Sequence, residues 1–578
     1  MNSILNKYFI NYSYKNLYEY DRNIPDYYLN LFQNNKKINI DIFNKYNFNN
    51  FPQKKLVNKF NEFIHWPCYT SNYMKLITLD ILINKSFSFK CLKTNKIFRS
   101  NKSFHYIFKN FINTKFEKFN KYGQGNRIIS KTEKLINITN CEYDDLIIYI
   151  FDNIDDPFFI AIGNGSNQMV MHTEIHFIYY YKSNCLYLIK KNDIYNDIEI
   201  TLENIINYNN FNEIKKSKKI CNMYGYAINI AHSYWNEMSG FKFLIDMELL
   251  KYIDLFIVGP YDYFNIYSYL SKNNYNVIKE KNLTNINNIL DNHSLLFKYN
   301  DWFMDNELKK FIFINNKIDD NESKYIKKIQ DSFYPIITFN IRAINRYLYS
   351  QEDVITNIIN NFLNIYPNMF IIFDGYIKDN NIEFDKYISQ GFNFEQKDFD
   401  ISYNKIINNI IIRINTKNYI SLIGENLSKQ INWLNISNYG FMQIGAGAHN
   451  YLWLVNKKCI SLGRNEYINE ELLLHTYHDY FFRVEKEFIT YLNPIYINFE
   501  KTFNENNSFY IDWKIIFFHM YRDLLILEKN NFILLQYDNL MKYNIYQSWG
   551  LELSLEDLLN KNLLEACDSL KKYIISNL

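Results

Sequence analysis

The sequence predicts an α/β protein with two Rossmann-like domains, because strand and helix patterns alternate in two separate blocks of the chain. The first block runs from about residue 226 to 279 and the second from 335 to 463. In each block, short apolar runs alternate with longer segments whose apolar residues recur at helical spacing. A polar stretch at 315–323 separates the two blocks and indicates a boundary between domains.

Residues 1–125 are predicted to be an accessory N-terminal region, dense in aromatic residues but without a clean period. The first Rossmann-like domain is expected over 126–325. Near its start, apolar runs predict strands at 144–151 and 158–163. Two further runs, 175–181 and 186–190, are typical of a hairpin that turns at Lys182-Ser-Asn184.

The first alternating block is predicted to begin with a strand at 226–230. A helix from 235 to 250 follows, and a strand at 254–259 completes one βαβ unit. A second helix at 263–270 and a strand at 275–279 continue the alternation. These elements favour a parallel sheet with helical crossovers.

The second domain is expected over 326–530, with strands at 335–341 and 369–374 and helices at 351–366 and 420–434. Its last unit runs from an apolar strand at 439–444 into a glycine turn, an apolar helix and a strand at 458–463. Helices are predicted at 513–528 and 553–578, so the C-terminal part, 531–578, is expected to be helical.

Composition and charge disfavour several classes of function. The 64 Lys and Arg against 61 Asp and Glu give a net charge of +3 without a basic block, which disfavours a nucleic-acid partner. Seven scattered cysteines without a Cys-x-x-Cys pair indicate reduced thiols. Because no apolar run reaches the roughly 18–20 residues of a membrane span and no signal segment opens the sequence, we expect a cytoplasmic protein. Peripheral association with a membrane and the oligomeric state stay open.

The glycine turn is the most informative motif and consists of Gly445, Ala446, Gly447, Ala448, His449 and Asn450. Glycines let the backbone approach a phosphate, and the N-terminus of the following helix supplies free N–H groups with a partial positive charge. A tight structural turn needs glycine as well, so phosphate binding and a plain turn are both compatible with the motif. His449 is either a ligand for a ribose or phosphate oxygen or a helix cap.

Three further residues are candidates for the same ligand. Arg342 and Arg346 follow the strand at 335–341, one helical turn apart, and could grip a diphosphate between them. A surface helix face is the alternative. Glu425, before the glycine unit, could accept a hydrogen bond from a ribose hydroxyl.

His232 and Glu237 are the candidate catalytic residues. His232 is expected beyond a strand end and at the start of the next helix, where the helix N-terminus favours a neutral imidazole that can accept a proton. Glu237, one turn later, would orient His232 or act as the base itself. The alternative is a capping Ser233 with His232 packed against Trp235.

We expect no bound metal. His172, Glu174 and His176 would share one face of a strand, but this spacing is not that of a zinc protease and no further ligand is evident. Asp398 and Asp400 form an Asp-x-Asp pair, which is expected by chance in a chain this rich in Asn and Asp.

The quoted residues resemble those of GT-B-type glycosyltransferases. The form Gly445-Ala-Gly-x-x-Asn450, with Arg342, Arg346 and Gln351-Glu352 upstream, is similar to the family that includes plant xylosyltransferases. The segment from His232 through Trp235-Asn-Glu237 to Gly240 looks like an element of bacterial proteins near polysaccharide loci. The resemblance implies a GT-B-like fold of two facing Rossmann-like domains, with the nucleotide-sugar on the second and the acceptor on the first.

The resemblance also implies a metal-independent transferase in polysaccharide biosynthesis that needs no cofactor. Its partners would be a nucleotide-sugar donor, a UDP- or GDP-sugar, and a glycan or other hydroxyl acceptor. Two alternatives stay open: a sugar-nucleotide epimerase on the same frame, and a non-catalytic viral or host-interaction protein that retains the fold.

Overall fold

The described part of the chain forms two compact units. The computed structural model of the protein describes residues 11–14, 78, 80–91, 93–94, 96–115, 137–152, 154–163, 174–180, 182–183, 185–188, 219–226, 230, 233–281, 285–290, 294–300, 306–343, 347–377, 386–389, 392–443, 445, 450–463, 489–491, 509–528, 565, 567–568 and 571–572. The first unit holds residues 1–114, 138–304 and 388–393, and the second holds the others.

The strands are numbered in chain order. In the first half of the chain they are β1 (Asn11–Tyr14), β2 (Phe87–Lys90), β3 (Ile97–Ser100), β4 (Ser103–Lys115), β5 (Asn137–Phe151), β6 (Phe158–Gly163), β7 (Glu174–Tyr180), β8 (Cys185–Leu188), β9 (Lys219–Tyr224), β10 (Leu255–Val258), β11 (Val277–Lys279) and β12 (Ser294–Phe297). In the second half they are β13 (Ile336–Asn340), β14 (Phe370–Asp374), β15 (Lys386–Ser389), β16 (Phe392–Glu395), β17 (Tyr419–Ser421), β18 (Tyr439–Gln443), β19 (Cys459–Leu462) and β20 (Ile489–Tyr491).

The α-helices are α1 (Ser239–Asp246), α2 (Ile266–Lys272), α3 (Ile286–Ile289), α4 (Asn306–Asn315), α5 (Asp320–Ser332), α6 (Gln351–Ile365), α7 (Gln396–Ile411), α8 (Leu427–Leu434) and α9 (Trp513–Glu528). Two π-helical turns, Ser233–Met238 and Asn450–Leu454, each follow a strand end, and a 3₁₀ turn spans Leu250–Tyr252. None of the helices in the described ranges is long and apolar enough to cross a membrane.

The first unit contains a six-stranded sheet in the order β1-β8-β7-β6-β5-β4. β5 to β8 form an antiparallel meander, in which β7 and β8 form the hairpin predicted from the runs at 175–181 and 186–190. Lys182 and Ser183 lie in its turn. Two smaller pairs, β2 with β3 and β15 with β16, complete the strands outside the parallel sheets.

The second sheet of the first unit is parallel throughout and has the order β11-β10-β9-β12. In chain order the strands move outward from β9 to β11 and then return to the other side of β9. The change of direction therefore lies between β9 and β12. Crevices for ligands form at such a switch point, beyond the carboxyl ends of the strands.

The second unit is built on a six-stranded parallel sheet with the order β17-β14-β13-β18-β19-β20. This is the 3-2-1-4-5-6 order of a doubly wound sheet, and its switch point lies between β13 and β18. The two parallel sheets confirm the predicted α/β class with two Rossmann-like sheets.

The central strands of both sheets are buried on both faces, which is why they read as continuous apolar runs in the sequence. All five residues of β13, of β14 and of β18 are buried, as are all four of β19. Helix α9 packs its apolar residues beside β19 and α6. The strands that lead to these carboxyl ends are therefore held in a buried core.

Two predicted elements were wrong. The first parallel strand is β9 at Lys219–Tyr224. Of the predicted strand at 226–230 only Tyr226 and Ile230 are described, and neither lies in a strand. Gly225 turns with φ +74°, and the Tyr226 N–H donates to the Glu237 carboxylate. The predicted helix at 420–434 is a strand, β17, followed by a turn and the shorter α8, which Asn426 caps by accepting from the Lys429 N–H. Strand β12 was not predicted.

Residues 306–325, which the sequence analysis assigned to the first domain, pack in the second unit. The Trp433 indole on α8 donates a 2.5 Å hydrogen bond to Glu322 on α5. Ser428 and Asn432 of α8 donate to Asn316, between α4 and α5. The polar stretch at 315–323 is thus a connection between two helices of one unit. Most of 553–578 lies outside the described residues.

We expect Gly240→Ala to destabilise the first unit by about 1–3 kcal/mol, because overpacking costs this much where the neighbour cannot move. A Cβ at Gly240 in α1 would lie 2.5 Å from the Tyr299 carbonyl oxygen and 3.0 Å from Asn300 Cα, which are backbone atoms after β12. Urea unfolding measures the change. The control is Ser271→Ala on the exposed face of α2, and equal stability of the two variants would contradict the close packing.

Candidate functional site

The switch point of the second sheet brings together two of the predicted ligand-binding positions. Arg342 follows β13 by two residues, and Gly445 follows β18 by two residues. Because β13 and β18 are hydrogen-bonded parallel neighbours, their carboxyl ends lie side by side. The strand pairing therefore places the arginine and the start of the glycine turn next to each other.

The Arg342 guanidinium packs directly on the Gly445 backbone. A Cβ built on Gly445 would lie 2.9 Å from Cζ and 3.2 Å from Nη2 of Arg342 and would collide with Nη1. Gly445 also has φ +146°, a conformation that other residues rarely adopt. Both the contact and the backbone angle therefore require glycine at this position.

Gln351 fixes the backbone of Arg342. Its side-chain amide donates a 2.6 Å hydrogen bond to the Arg342 carbonyl, and its Oε1 accepts from the Arg342 N–H at 3.3 Å. Gln351 is the first residue of α6 and is buried. The Arg342 backbone is therefore fixed at both its N–H and its carbonyl group, while the residue itself stays partly exposed.

Gln443, the last residue of β18, extends the hydrogen-bond network around the Arg342 backbone from the strand next to β13. Its amide nitrogen donates to the Asn340 carbonyl at 2.9 Å and to Gln351 Oε1 at 3.1 Å. Its Oε1 accepts from the Leu348 N–H at 2.6 Å. Gln443 is fully buried. One amide thus ties together β13, β18, α6 and the chain that leads into α6.

Asn340 and Asp374 end the neighbouring strands β13 and β14 and lie opposite each other in register. The Asn340 amide donates to Asp374 Oδ2 at 3.1 Å, and both residues are buried. Burial raises the pKa of Asp374 to about 7, against the lowering effect of the Asn340 amide and the Gly375 N–H. Asp374 therefore does not carry a full negative charge at neutral pH.

The other predicted donor-site residues are only in part described. Glu425 follows β17, two strands from β13, and accepts a 2.9 Å hydrogen bond from Lys429 one turn along. At the usual strand spacing this is about 10 Å from the end of β13. Asn450 begins the π-helical turn after the glycine segment. Arg346, Ala446, Gly447, Ala448 and His449 lie outside the described residues.

Glu237, a predicted catalytic residue, lies at the switch point of the first sheet and is fully buried. Its carboxylate accepts from the backbone N–H groups of Gly225 and Tyr226, each at 3.2 Å, and from Ser233 Oγ at 3.3 Å. Lys298, which follows β12 and is also buried, lies 3.3 Å away. His232, the predicted base, lies outside the described residues.

Candidate metal ligands are not brought together in the described residues, where no three His, Cys, Asp or Glu side chains form a group that could hold an ion. His172 and the side chains of His176 and Asp398 lie outside that part of the chain. The chemistry that the described site offers is electrostatic. Arg342 carries a planar, partly exposed cation, and the lack of a Cβ at the buried Gly445 lets the guanidinium lie directly on the backbone.

Sequence reasoning missed Gln443 and Asp374, and quoted Gln351 only as part of a motif. Gln443 and Asp374 each end an otherwise apolar strand. A polar side chain at the last position of a buried strand is a signal that could have been used, because buried polar groups are nearly always hydrogen-bonded.

Comparison with known proteins gives structural neighbours of low similarity. No protein-family model and no curated protein matches the chain. An α,α-trehalose 6-phosphate synthase from Burkholderia multivorans is 8% identical, with TM-score 0.27, over 72% of this chain and 89% of that one. A UDP-forming α,α-trehalose-phosphate synthase from Burkholderia xenovorans is 8% identical, with TM-score 0.28, over 69% and 90%. A family 9 glycosyl transferase from Veillonella parvula is 8% identical, with TM-score 0.25, over 62% and 98%.

We expect Gln443→Leu to lower the free energy of unfolding of the second unit by about 1–3 kcal/mol for each partner left unpaired. The substitution removes the acceptor of the Leu348 N–H and the donor to the Asn340 carbonyl. Gln330→Leu, on the exposed side of α5, is the matched control. The same loss of stability in both variants would show that the Gln443 network contributes nothing.

Asp374→Asn is expected to change how stability depends on pH. The folded pKa is about 7 and the ordinary value is 3.8, so between these values the folded state holds a proton that the unfolded state has released. The Asp374 carboxyl therefore contributes most to the free energy of unfolding below pH 4, and this contribution is lost as the pH rises to about 7. Relative to wild type, the variant should gain stability over this range, by on the order of 4 kcal/mol at most.

Thermal unfolding from pH 4 to 8 measures this difference. Glu352, with its pKa raised by burial to about 7, and His519, with its pKa lowered by burial to about 3, titrate in both proteins and cancel in the comparison. Asp331→Asn on the surface of α5 is the control. Parallel pH profiles for wild type and Asp374→Asn would contradict the buried, protonated carboxyl.

Proposed function

We propose that the protein is a glycosyltransferase that takes a sugar from a nucleoside-diphosphate donor and that its second unit holds the donor diphosphate. The observation that carries this proposal is the Arg342 guanidinium packed on Gly445 at the switch point between β13 and β18. A cation and the first glycine of the turn lie together where a doubly wound sheet binds its ligand.

The chemistry of the site favours a diphosphate over a neutral ligand. A guanidinium presents parallel N–H donors that match two phosphate oxygens, and charge-assisted bonds of this kind are among the strongest in proteins. Asp374, which ends the neighbouring strand β14, has its pKa raised to about 7 by burial.

The remaining residues of the proposed donor site extend from this contact. Arg346, four residues after Arg342 in the sequence, would supply a second cation. The backbone from Ala446 to Asn450, with His449, would cradle the phosphates at the start of the π-helical turn. Glu425 would accept from a ribose hydroxyl after releasing Lys429. UDP- and GDP-sugars are the proposed donors, and no cofactor is required.

In the proposed reaction a hydroxyl of a glycan or other acceptor attacks the anomeric carbon, and the nucleoside diphosphate leaves. His232 would remove the proton of the attacking hydroxyl. The guanidinium and the backbone N–H groups would stabilise the charge that develops on the leaving diphosphate, which is the task a metal performs in other transferases. The proposed partners are therefore a nucleotide-sugar donor and a glycan or other acceptor. No metal is proposed.

Acceptor-dependent release of UDP or GDP tests the reaction class. A transferase releases nucleoside diphosphate in proportion to the acceptor supplied. Turnover of the sugar nucleotide without an acceptor would favour an epimerase. Nucleotide binding without turnover on any acceptor would favour a non-catalytic protein that retains the fold.

Arg342→Ala is expected to weaken UDP or GDP binding about 10- to 100-fold, because a hydrogen bond to a charged group contributes about 1.5–3 kcal/mol. Isothermal titration calorimetry measures the affinity. Arg413→Ala is the matched control, since Arg413 is a partly exposed arginine of the same unit that pairs with Asp353. Affinity that stays the same in Arg342→Ala, or falls equally in the control, would remove Arg342 from the donor site.

A further inference from the structure

The backbone of Arg342 is held by a side chain at the point where the sheet ends. The Ile341 N–H still donates to the Asp374 carbonyl at 2.7 Å, which continues the ladder between β13 and β14. One residue later, the Gln351 amide donates to the Arg342 carbonyl at 2.6 Å and accepts from the Arg342 N–H at 3.3 Å. The Gln351 side chain therefore bonds Arg342 as a neighbouring strand would.

These two hydrogen bonds fix the direction of the Arg342 side chain. One bond holds the peptide plane before the Arg342 Cα, and the other holds the plane after it. The only soft backbone dihedral angles of a residue, φ and ψ, lie between these two planes. With both planes held, the Cα–Cβ bond has one direction, from which the guanidinium reaches Gly445.

Gln443 determines which way the Gln351 amide faces. Gln351 Oε1 accepts from the Arg342 N–H and also from Gln443 Nε2, the latter at 3.1 Å. A reversed Gln351 amide would set its own N–H groups against these two donors. Gln443 is oriented in turn by the Asn340 carbonyl, to which it donates at 2.9 Å, and by the Leu348 N–H, from which it accepts at 2.6 Å.

A distant segment of the chain braces this network. Phe509, which precedes α9, pairs with Leu348 in a parallel bridge. The Phe509 carbonyl accepts from the Tyr349 N–H at 2.7 Å, and its N–H donates to the Tyr347 carbonyl at 3.2 Å. The residue that bonds Gln443 is therefore held by its own neighbours. A buried polar network whose groups are bonded to one another favours a single geometry.

We propose that Gln351 is a positioning residue that presents the Arg342 guanidinium to the donor diphosphate. This role rests on the proposed function, because the diphosphate is the ligand assigned to Arg342. A long side chain that is already held in its binding direction loses less conformational entropy when the ligand binds. For one such side chain the gain in affinity is roughly 3- to 10-fold. Gln351 needs no contact with the ligand for this effect.

A double-mutant cycle on UDP and GDP affinity tests the proposal. Gln351→Met keeps the length of the side chain and removes both hydrogen bonds to Arg342. Isothermal titration calorimetry should show binding about 3- to 10-fold weaker than that of wild type. In the Arg342→Ala background, the same substitution should change the affinity by less than about twofold, because the side chain that Gln351 positions is absent.

Gln430→Met is the matched control. Gln430 is also a buried glutamine of the second unit, and its amide donates to three backbone carbonyls, those of Tyr376, Leu422 and Glu425. Any effect of this substitution on the affinity should be equal with and without the Arg342 side chain. The control therefore separates the loss of a buried amide from the loss of the support for Arg342.

Gln351→Asn covers the case in which Gln351→Met does not fold. It keeps a neutral amide that is one methylene too short to bridge the N–H and the carbonyl of Arg342. The same dependence on Arg342 is expected, and near-UV circular dichroism shows whether each variant is folded.

The cycle also separates this proposal from the proposed function. An equal loss of affinity in both backgrounds, or wild-type affinity in the folded Gln351 variants, would overturn the positioning role and leave the proposed function standing. If wild type binds neither UDP nor GDP, the proposed function fails, and the role of Gln351 fails with it.

Discussion

The contact between the Arg342 guanidinium and the Gly445 backbone is the interaction on which the account of this protein depends. It exists because β13 and β18 are parallel neighbours at the point where the sheet changes direction, so that their carboxyl ends meet. It needs a residue without Cβ at 445, and it needs an Arg342 backbone that does not move. Gln351 and Gln443 meet the second requirement through hydrogen bonds that join three elements around the arginine.

The two parallel sheets fix their switch points by different physical means. The second sheet uses neutral amides, those of Gln351 and Gln443, and a carboxyl, Asp374, whose pKa burial raises to about 7. The first sheet uses a fully buried ion pair of Glu237 with Lys298. The Glu237 carboxylate also accepts hydrogen bonds from the backbone N–H groups of Gly225 and Tyr226.

The sequence predicted the α/β class and most elements of the second sheet, since strands buried on both faces are continuous apolar runs and a helix such as α6 shows its period clearly. It also put Arg342 and Gly445 each just beyond the end of a strand of the second domain, whereas the pairing of those two strands appears only in the structure. It missed β9, where Lys219 and Asn222 dilute the apolar pattern, and β17, whose three residues are too short to distinguish from the helix that follows. The ion pair of Glu237 with Lys298 joins residues 61 positions apart in the chain, and the hydrogen bond from the Leu348 N–H to Gln443 joins residues 95 positions apart. Local periodicity holds no information on contacts of that kind.

The central claim is that a nucleoside diphosphate binds at the switch point of the second sheet. Hydrogen exchange of the whole chain, with and without saturating UDP or GDP, tests it most directly. The account predicts that the nucleotide slows exchange in peptides over 341–353 and 443–454, where Arg342, Gln351 and the start of the glycine turn lie. Protection confined to 224–237 in the first unit, or bound nucleotide with unchanged exchange at both β13 and β18 ends, would contradict it.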